Sequence, residues 1–465
     1  MSCFVKSFAT SLVTACLLAS PLVQASVEQL ETDLSELFAH GELSIGKVSE
    51  SSRASRVVAE NIVFEGREGE RVLVERYVVN GDYEAPDDVQ LENMRIEDTL
   101  TGKPLLSIES LILDEPGMAV ITEKTWQDPS FELAQFAIDG LVVSLDSDVA
   151  DEVWQTLSLD QGAGQLTIES IQGKSLSASA IGELEFTNMA MQGNNIDELG
   201  DVSLIVGRFR AEDVQGLQQE ELEQVGAMSL ERLTVESDTL AASLALLSMD
   251  GDLNDGAASV QVESLELDLN RMIALAPPEE RTQMRMVANV LTDGTGLLGI
   301  DVDFLARWEE QASQSLLGGD GQIALRDALG LRLNVELPLV LPEGVTPVDV
   351  LSDRVPLEDA TLLGGEAILT LNDHGLVNRL VTLAATLEGV TEEQVLDVAR
   401  TQARGYGMVF GPEVEAVLMG GMALLEGRAS QLIMSIVLPA ESRLDTYADD
   451  PLGLPELLSL EVETR

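Results

Sequence analysis

The chain has 465 residues, with 81 acidic against 27 basic side chains and a formal charge of −54. A surface of that sign repels nucleic acids and anionic membranes, which are held by clusters of Lys and Arg. The acids alternate with Leu, Val and Ile, which argues against a disordered acidic chain, and both cysteines, Cys3 and Cys16, lie in the first 25 residues, so the rest has no disulfide, thiolate metal site or cysteine nucleophile.

Residues 1–25 read as a signal peptide. Lys6 is its lone charged side chain, an apolar run follows from Phe8 to Val23, and Val23-Gln24-Ala25 fits a small-residue cleavage site, so the mature chain is expected to begin at Ser26 and to be periplasmic or secreted. Val13-Thr14-Ala15-Cys16 resembles a lipobox and gives an alternative, a lipoprotein anchored through Cys16. No later segment is long and apolar enough to span a bilayer, so no transmembrane segment is expected after signal removal. Residues 26–270 hold 50 acids and 13 bases, residues 271–465 hold 31 and 13. High acidity with ordered patterning fits a solvated exterior in a salty milieu, and hence a marine or halophilic bacterium.

After a helix expected over 26–40, from the spacing of Val27, Leu30, Leu34, Leu37 and Phe38, one phrase recurs. Residues 166–173, Leu-Thr-Ile-Glu-Ser-Ile-Gln-Gly, show it as apolar-x-apolar, two polar residues with an acid first, then apolar-x-apolar. It returns at 57–64, 72–79, 89–96, 106–113, 136–143, 184–191, 209–216, 228–235 and 260–267, with a weaker copy at 43–48. On a helix its apolar positions form no stripe. On a strand, positions 1 and 3 share one face and 6 and 8 the other. Either an extra residue at the acidic pair returns all four to one face as a two-to-one bulge, or the strand passes between two cores. Short helices are expected near 148–156, 218–225 and 240–247.

The pattern changes near Arg271. Pro277-Pro278 is expected to open a helix through about Leu291, and a second helix to run from about Val302 to Leu317, stopped by Gly318-Gly319. Strands return at 329–337, ended by Pro338, and at 360–371. Three helices follow: one capped by Asn372 or Asp373 and stopped at Gly389, one with a Thr391/Gln394 capping box, and one opened by Pro412. Two strands close the chain. The expected fold is mainly β with an α+β C-terminal part: an elongated, twisted antiparallel sheet of repeated strands, with helices packed on one face in the C-terminal region. The domains are then 26–270, repeat-built and β-rich, and 271–465, α+β.

Candidate chemistry is sparse. Gly294-Thr295-Gly296-Leu297-Leu298-Gly299 spells a dinucleotide motif but lacks the strand before it, and reads as a helix-to-helix loop. Asp250, Asp252, Asn254 and Asp255 resemble a calcium loop with the glycine displaced by one place and Gln261 at position twelve, so a solvated hairpin turn is the stronger reading. Asp146, Asp148, Asp151 and Glu152 form a similar cluster. Two histidines, His40 and His374, lie in different regions, and Ser44-Ile45-Gly46-Lys47 matches S-x-x-K without companion motifs. No catalytic residue and no cofactor is assigned.

The repeat phrases, such as 106–113 and 260–267, run through roughly half the chain and resemble the AsmA-like proteins of the Gram-negative envelope, whose repeated strands form a long groove with an apolar interior. That resemblance implies lipid handling at the envelope, although AsmA-like proteins keep a membrane anchor where this signal reads as cleavable. Two readings of function follow. One is a non-enzymatic exported envelope protein, a scaffold or a binding protein for lipid or another apolar ligand in a β-groove, with an envelope protein as a further partner and no nucleic acid. The alternative is a carboxylate-dependent hydrolase acting on envelope or extracellular polymers.

Overall fold

The computed structural model describes residues 26–38, 41–51, 55–67, 69–121, 128–146, 163–196, 200–217, 224–251, 256–311, 314–346, 350, 356, 360–443 and 459–465. The signal segment, the short helix expected at 148–156, residues 218–223 of the one at 218–225, and His40 lie outside them. The chain divides into two compact units, Met1–Thr239 and Leu240–Arg465. That division falls ahead of the change of pattern at Arg271.

The first unit is an antiparallel meander. Helix α1 (Ser26–Leu37) leads into strands β1 (Gly41–Ser51), β2 (Arg56–Gly66), β3 (Glu70–Asp82), β4 (Ala85–Asp98), β5 (Pro104–Asp114), β6 (Glu132–Ser144), β7 (Ala163–Ser177), β8 (Ala180–Ile196), β9 (Gly200–Gln215) and β10 (Ala227–Glu236). Each strand pairs with the next.

The recurring phrase puts all four apolar positions on one face. In β2, Val57, Ala59, Ile62 and Phe64 are all buried; in β7, Leu166, Ile168, Ile171 and Gly173 are. Parity is reset at one residue in each strand along a row that crosses the whole sheet, and β7, β8 and β9 reset a second time at Ser175, Gly182 and Asp213, which form a shorter row of their own. Register identifies the longer row. In β2–β3 Glu60 faces Arg76 and Ile62 faces Val74, so Asn61 stands opposite Glu75. The same arithmetic continues through Asn93, Glu109, Gly140, Glu169, Asn188, Gly207 and Arg232, and back to Gly46 in β1. Alternate members are left-handed: Asn61, Asn93, Gly140, Asn188 and Arg232 have φ between 49° and 66°. Asn and Gly tolerate that region best.

Because facing strands have their extra residues at matching levels, they stay in step. Of the two alternatives left by the sequence, a two-to-one bulge and a strand passing between two cores, neither is found here: the four apolar positions share one face through a matched crease. Three members are glycine because a partner lies over them: a Cβ at Gly46, Gly140 or Gly207 would crowd Asn61, Glu109 or Arg232.

The face so assembled is sealed. Ile138, Ile168, Ile171, Ile181 and Val79 are at most 1 % exposed, and the core runs continuously from α1 to β9. Leu30 and Leu34 of α1 close one end, and Tyr83 ties the helix down by donating its hydroxyl to Asp33 over 2.7 Å. The space left between α1, β2–β5 and Val120-Ile121 is a cavity of about 40 Å³, little more than a water's share.

Among the described residues the second unit is also an antiparallel meander, with helices inserted after β12 and after β16. It comprises β11 (Ala241–Asp250), β12 (Ala257–Asp268), α2 (Leu269–Leu275), α3 (Arg281–Leu291), β13 (Leu297–Gln311), β14 (Gln314–Leu325), β15 (Leu329–Val340), β16 (Thr361–Asp373), α4 (Leu376–Glu388), α5 (Glu392–Phe410), α6 (Pro412–Leu425), β17 (Gln431–Arg443) and β18 (Ser459–Thr464). The last copy of the phrase has a true bulge at its fourth and fifth positions. Val262 faces Val302 and Leu265 faces Ile300, so Glu263 and Ser264 together oppose Asp301, whose carboxylate accepts from the Ser264 amide over 2.7 Å.

Several expectations are corrected. Where a helix was expected over 302–317, the described residues 302–311 and 314–317 belong to the paired strands β13 and β14, because Val302, Phe304, Ala306 and Trp308 alternate onto one face and pair along their length. Gly318-Gly319 lies inside β14. Residues 241–247 are strand β11, paired with β12, and Gln224 forms a bridge with Gln215 where a helix was expected. Pro277-Pro278 sits between two helices, since the chain turns at Pro277 before α3 begins at Arg281. Pro338 leaves β15 running to Val340, and a register shift between Glu336 and Leu339 absorbs its missing N–H. Gly375, at φ 102°, takes the cap position of α4, although Asp373 still accepts from the Val377 amide. The Thr391/Gln394 capping box, the left-handed stop at Gly389 and Pro412 at the start of α6 are all present.

Candidate functional site

The second sheet differs from the first in what covers its apolar face. Cross-strand register aligns Val262, Val302, Ile323, Leu331, Leu371 and Leu432 in one row, and Val260, Phe304, Gly321, Leu333, Leu369 and Met434 in the next. From β12 to β17 these rows are apolar or glycine. The opposite face carries Asp301, Asp303, Asp320, Glu336 and Glu366, with Arg307 paired to Asp320 and Arg326 to Glu266. The Arg326 guanidinium is pushed up from its ordinary range by its hydrogen bond to Glu266. The sheet is thus apolar on one side and charged on the other.

That apolar side is only partly covered. Phe304 is 39 % exposed and Leu333 38 %, and most of their row neighbours are half-buried, where the equivalent positions of the first unit are sealed. The small buried cluster of Trp308, Leu337, Leu339 and Leu362 fills one end. At the other end the helices pack on the face. Gly420 of α6 sits so close to Leu432, Val462 and Thr464 that a Cβ there would collide with Leu432. α4 is fixed by the Arg379–Asp293 ion pair at 2.8 Å and by Arg379 donating to the Asp327 carbonyl. Arg400, held by Glu426 and Asp397, joins α5 to the end of α6. Between these ends lies an open apolar stretch of sheet.

Beside it, α2 and α3 enclose a groove of about 510 Å³, lined by Leu269, Met272, Ile273, Met284, Val287, Ala288 and Leu291, with Glu280 and Gln283 as its polar members. Leu269 follows directly on β12 and its amide donates to the Gly296 carbonyl, so the groove begins where the sheet ends. Its volume lies within the roughly 300–1,000 Å³ in which small ligands are held. Two unbranched methionines among branched residues give a lining that adapts its shape at low cost.

The singled-out motifs contribute little to this site. Gly294 and Gly296 make the turn from α3 into β13, with φ of 81° and 74°, and Gly299 lies in β13 opposite Glu266. A strand follows them where a helix-to-helix loop was expected. Asp250 ends β11, while Asp252, Asn254 and Asp255 lie outside the described residues. Asp146 is held below the usual carboxylate range, first by its hydrogen bond from Lys103 and then by Ser144; Asp148, Asp151 and Glu152 lie outside the described residues. His374 donates its amide to Ala328 at the β14–β15 turn. Ser44 and Lys47 lie in β1. Among the described residues no group of three His, Cys, Asp or Glu side chains is placed to hold a metal ion, and no helix is long and apolar enough to cross a membrane. The groove residues were visible in the sequence only as a helical stripe, Met284, Val287, Ala288 and Leu291, which core and groove share.

No known protein family matches this chain, and no curated protein does. The site therefore has to be read from its own chemistry.

Proposed function

We propose that the protein is an exported, non-enzymatic envelope protein in which the first unit is a rigid scaffold and the second holds an apolar ligand, a lipid acyl chain or a molecule of similar character. The observation that carries this reading is the contrast between two sheets built from the same kinds of residue. One buries its apolar face almost completely, and the other leaves Phe304, Leu333 and their neighbours partly exposed beside an apolar groove. Leaving such a face open forgoes about 25 cal/mol for each Å² that could be buried, and contiguous exposed apolar area of this kind marks interaction sites. Each buried CH₂ of a ligand returns about 0.8 kcal/mol. The hydrolase alternative needs two carboxylates facing one another across a cleft, and the rows of this face from β12 to β17 carry none.

The test is titration of detergent-free protein with the neutral fluorophore N-phenyl-1-naphthylamine, together with native mass spectrometry for co-purified lipid. A saturable signal, lost in Leu369→Glu and in Met284→Glu but kept in Thr167→Glu on the first unit, is the expected result. No saturable signal and no co-purified lipid would leave a scaffold alone.

A further inference from the structure

Resting on that reading, we infer that the groove between α2 and α3 selects amphiphiles whose head group is cationic and rejects those whose head group is anionic. Its lining contains one charged side chain, Glu280, and one amide, Gln283, and no basic residue. Glu280 is the N-cap residue of α3, and its carboxylate makes no capping hydrogen bond, so the oxygens are available to a ligand. The arginines of these two helices serve elsewhere. Arg281 donates its Nε to the Ala276 carbonyl over 2.7 Å. Arg271 and Arg285 do not line the groove, and Arg285 is exposed. The formal charge of −54 adds a long-range field of the same sign as Glu280. An apolar body in the groove with an ammonium at Glu280 satisfies both parts of the lining. A carboxylate or phosphate head would stand against the like charge of Glu280, which is a basis for rejection.

Three probes with one chain length separate the possibilities: dodecylammonium, dodecanol and dodecanoate, titrated calorimetrically below their aggregation limits into the full chain. The expected order of affinity is ammonium, then alcohol, then carboxylate, with at least a tenfold gap between the first and last. Glu280→Gln should narrow that gap threefold or more and leave dodecanol unchanged. Glu279→Gln, an exposed neighbour outside the lining, should leave the gap intact. Dodecanoate binding as tightly as dodecylammonium overturns the inference while leaving apolar binding in place. Equal narrowing by Glu279→Gln also overturns it, because the preference would then come from overall charge. If none of the three binds, the apolar-ligand reading itself fails.

Discussion

Asn93 in β4 donates its side-chain amide to the Glu75 carboxylate in β3 over 2.6 Å, and these are facing members of the crease. Asn188 and Glu169 repeat the bond between β8 and β7. The left-handed member thus supplies a donor and its partner an acceptor. In these two hairpins the acid at the fourth position of the odd strand and the Asn at the fifth position of the even strand are therefore partners.

Replacing Asn93, at φ 51°, with Val should cost about 1–3 kcal/mol, because a β-branched residue is strained in that region. Asn93→Gly relieves the strain and loses only the exposed hydrogen bond, so it should cost less than half as much. Urea midpoints of the two variants decide it. Equal losses would mean that the hydrogen bond, and not the backbone, holds the crease.

Ile168 and Ile171 differ in parity along β7 yet are each 1 % exposed. Either one changed to Asp should destabilise the protein by about 3 kcal/mol or more, the lost burial adding to the cost of a buried charge. If only one substitution lowers the urea midpoint, the two do not share a face.

The Asp33 carboxyl is held above its ordinary 3.8, first by burial and partly offset by the hydrogen bond from Tyr83. A raised value in the folded state means that folding favours the protonated form. That contribution is complete below 3.8 and is lost as pH rises through the folded value. Asp33→Asn keeps an acceptor for Tyr83 and cannot ionise, so its melting temperature relative to the parent should rise between pH 3.8 and 7. A difference that stays constant with pH would show that Asp33 titrates as it does in the unfolded chain.

Melting temperature should climb with NaCl. Residues 26–465 carry 81 acids against 26 bases, and at 1 M salt the screening length falls to about 3 Å. A melting temperature unchanged or lower between 0.1 and 2 M would mean that repulsion among the acids is already balanced by the ladders of ion pairs such as Arg76–Glu92 and Arg210–Glu212.

Leu339 is fully buried in the small cluster with Trp308, while Leu333, in the same strand and on the same face, is 38 % exposed. Leu339→Ala should cost about 2–5 kcal/mol. Leu333→Ala should cost under about 1 kcal/mol and instead weaken fluorophore binding. Equal destabilisation in thermal melts would mean that the open face behaves as core.

The strands of the first unit were legible because the phrase has a period that only a strand with one reset can satisfy. How the reset is accommodated was not legible, because a two-to-one bulge and a matched crease leave the same mark on a single strand; only the register with Glu75 or Glu109 tells them apart. Residues 302–317 read as a helix because Leu305, Trp308, Ala312 and Leu316 also fit helical spacing, and the pairing partner that settles the matter lies on the next strand. The open face was the least legible part. Leu331, Leu333 and Val335 alternate as cleanly as any buried strand, and alternation records which way side chains point without recording what meets them. For the same reason the apolar groove expected in the repeat half is a sealed core there, and exposure is found in the strands that follow.

The matched crease restricts how this sheet can change length. In the row through Glu75 odd strands carry the ordinary member and even strands the left-handed one, and in the shorter row Ser175, Gly182 and Asp213 alternate the other way round, so removing a single strand would set two members of the same kind side by side, whereas removing a hairpin restores the alternation at the junction. Insertions and deletions in the repeat are therefore tolerated two strands at a time, and the hairpin is the unit in which such a protein is lengthened or shortened.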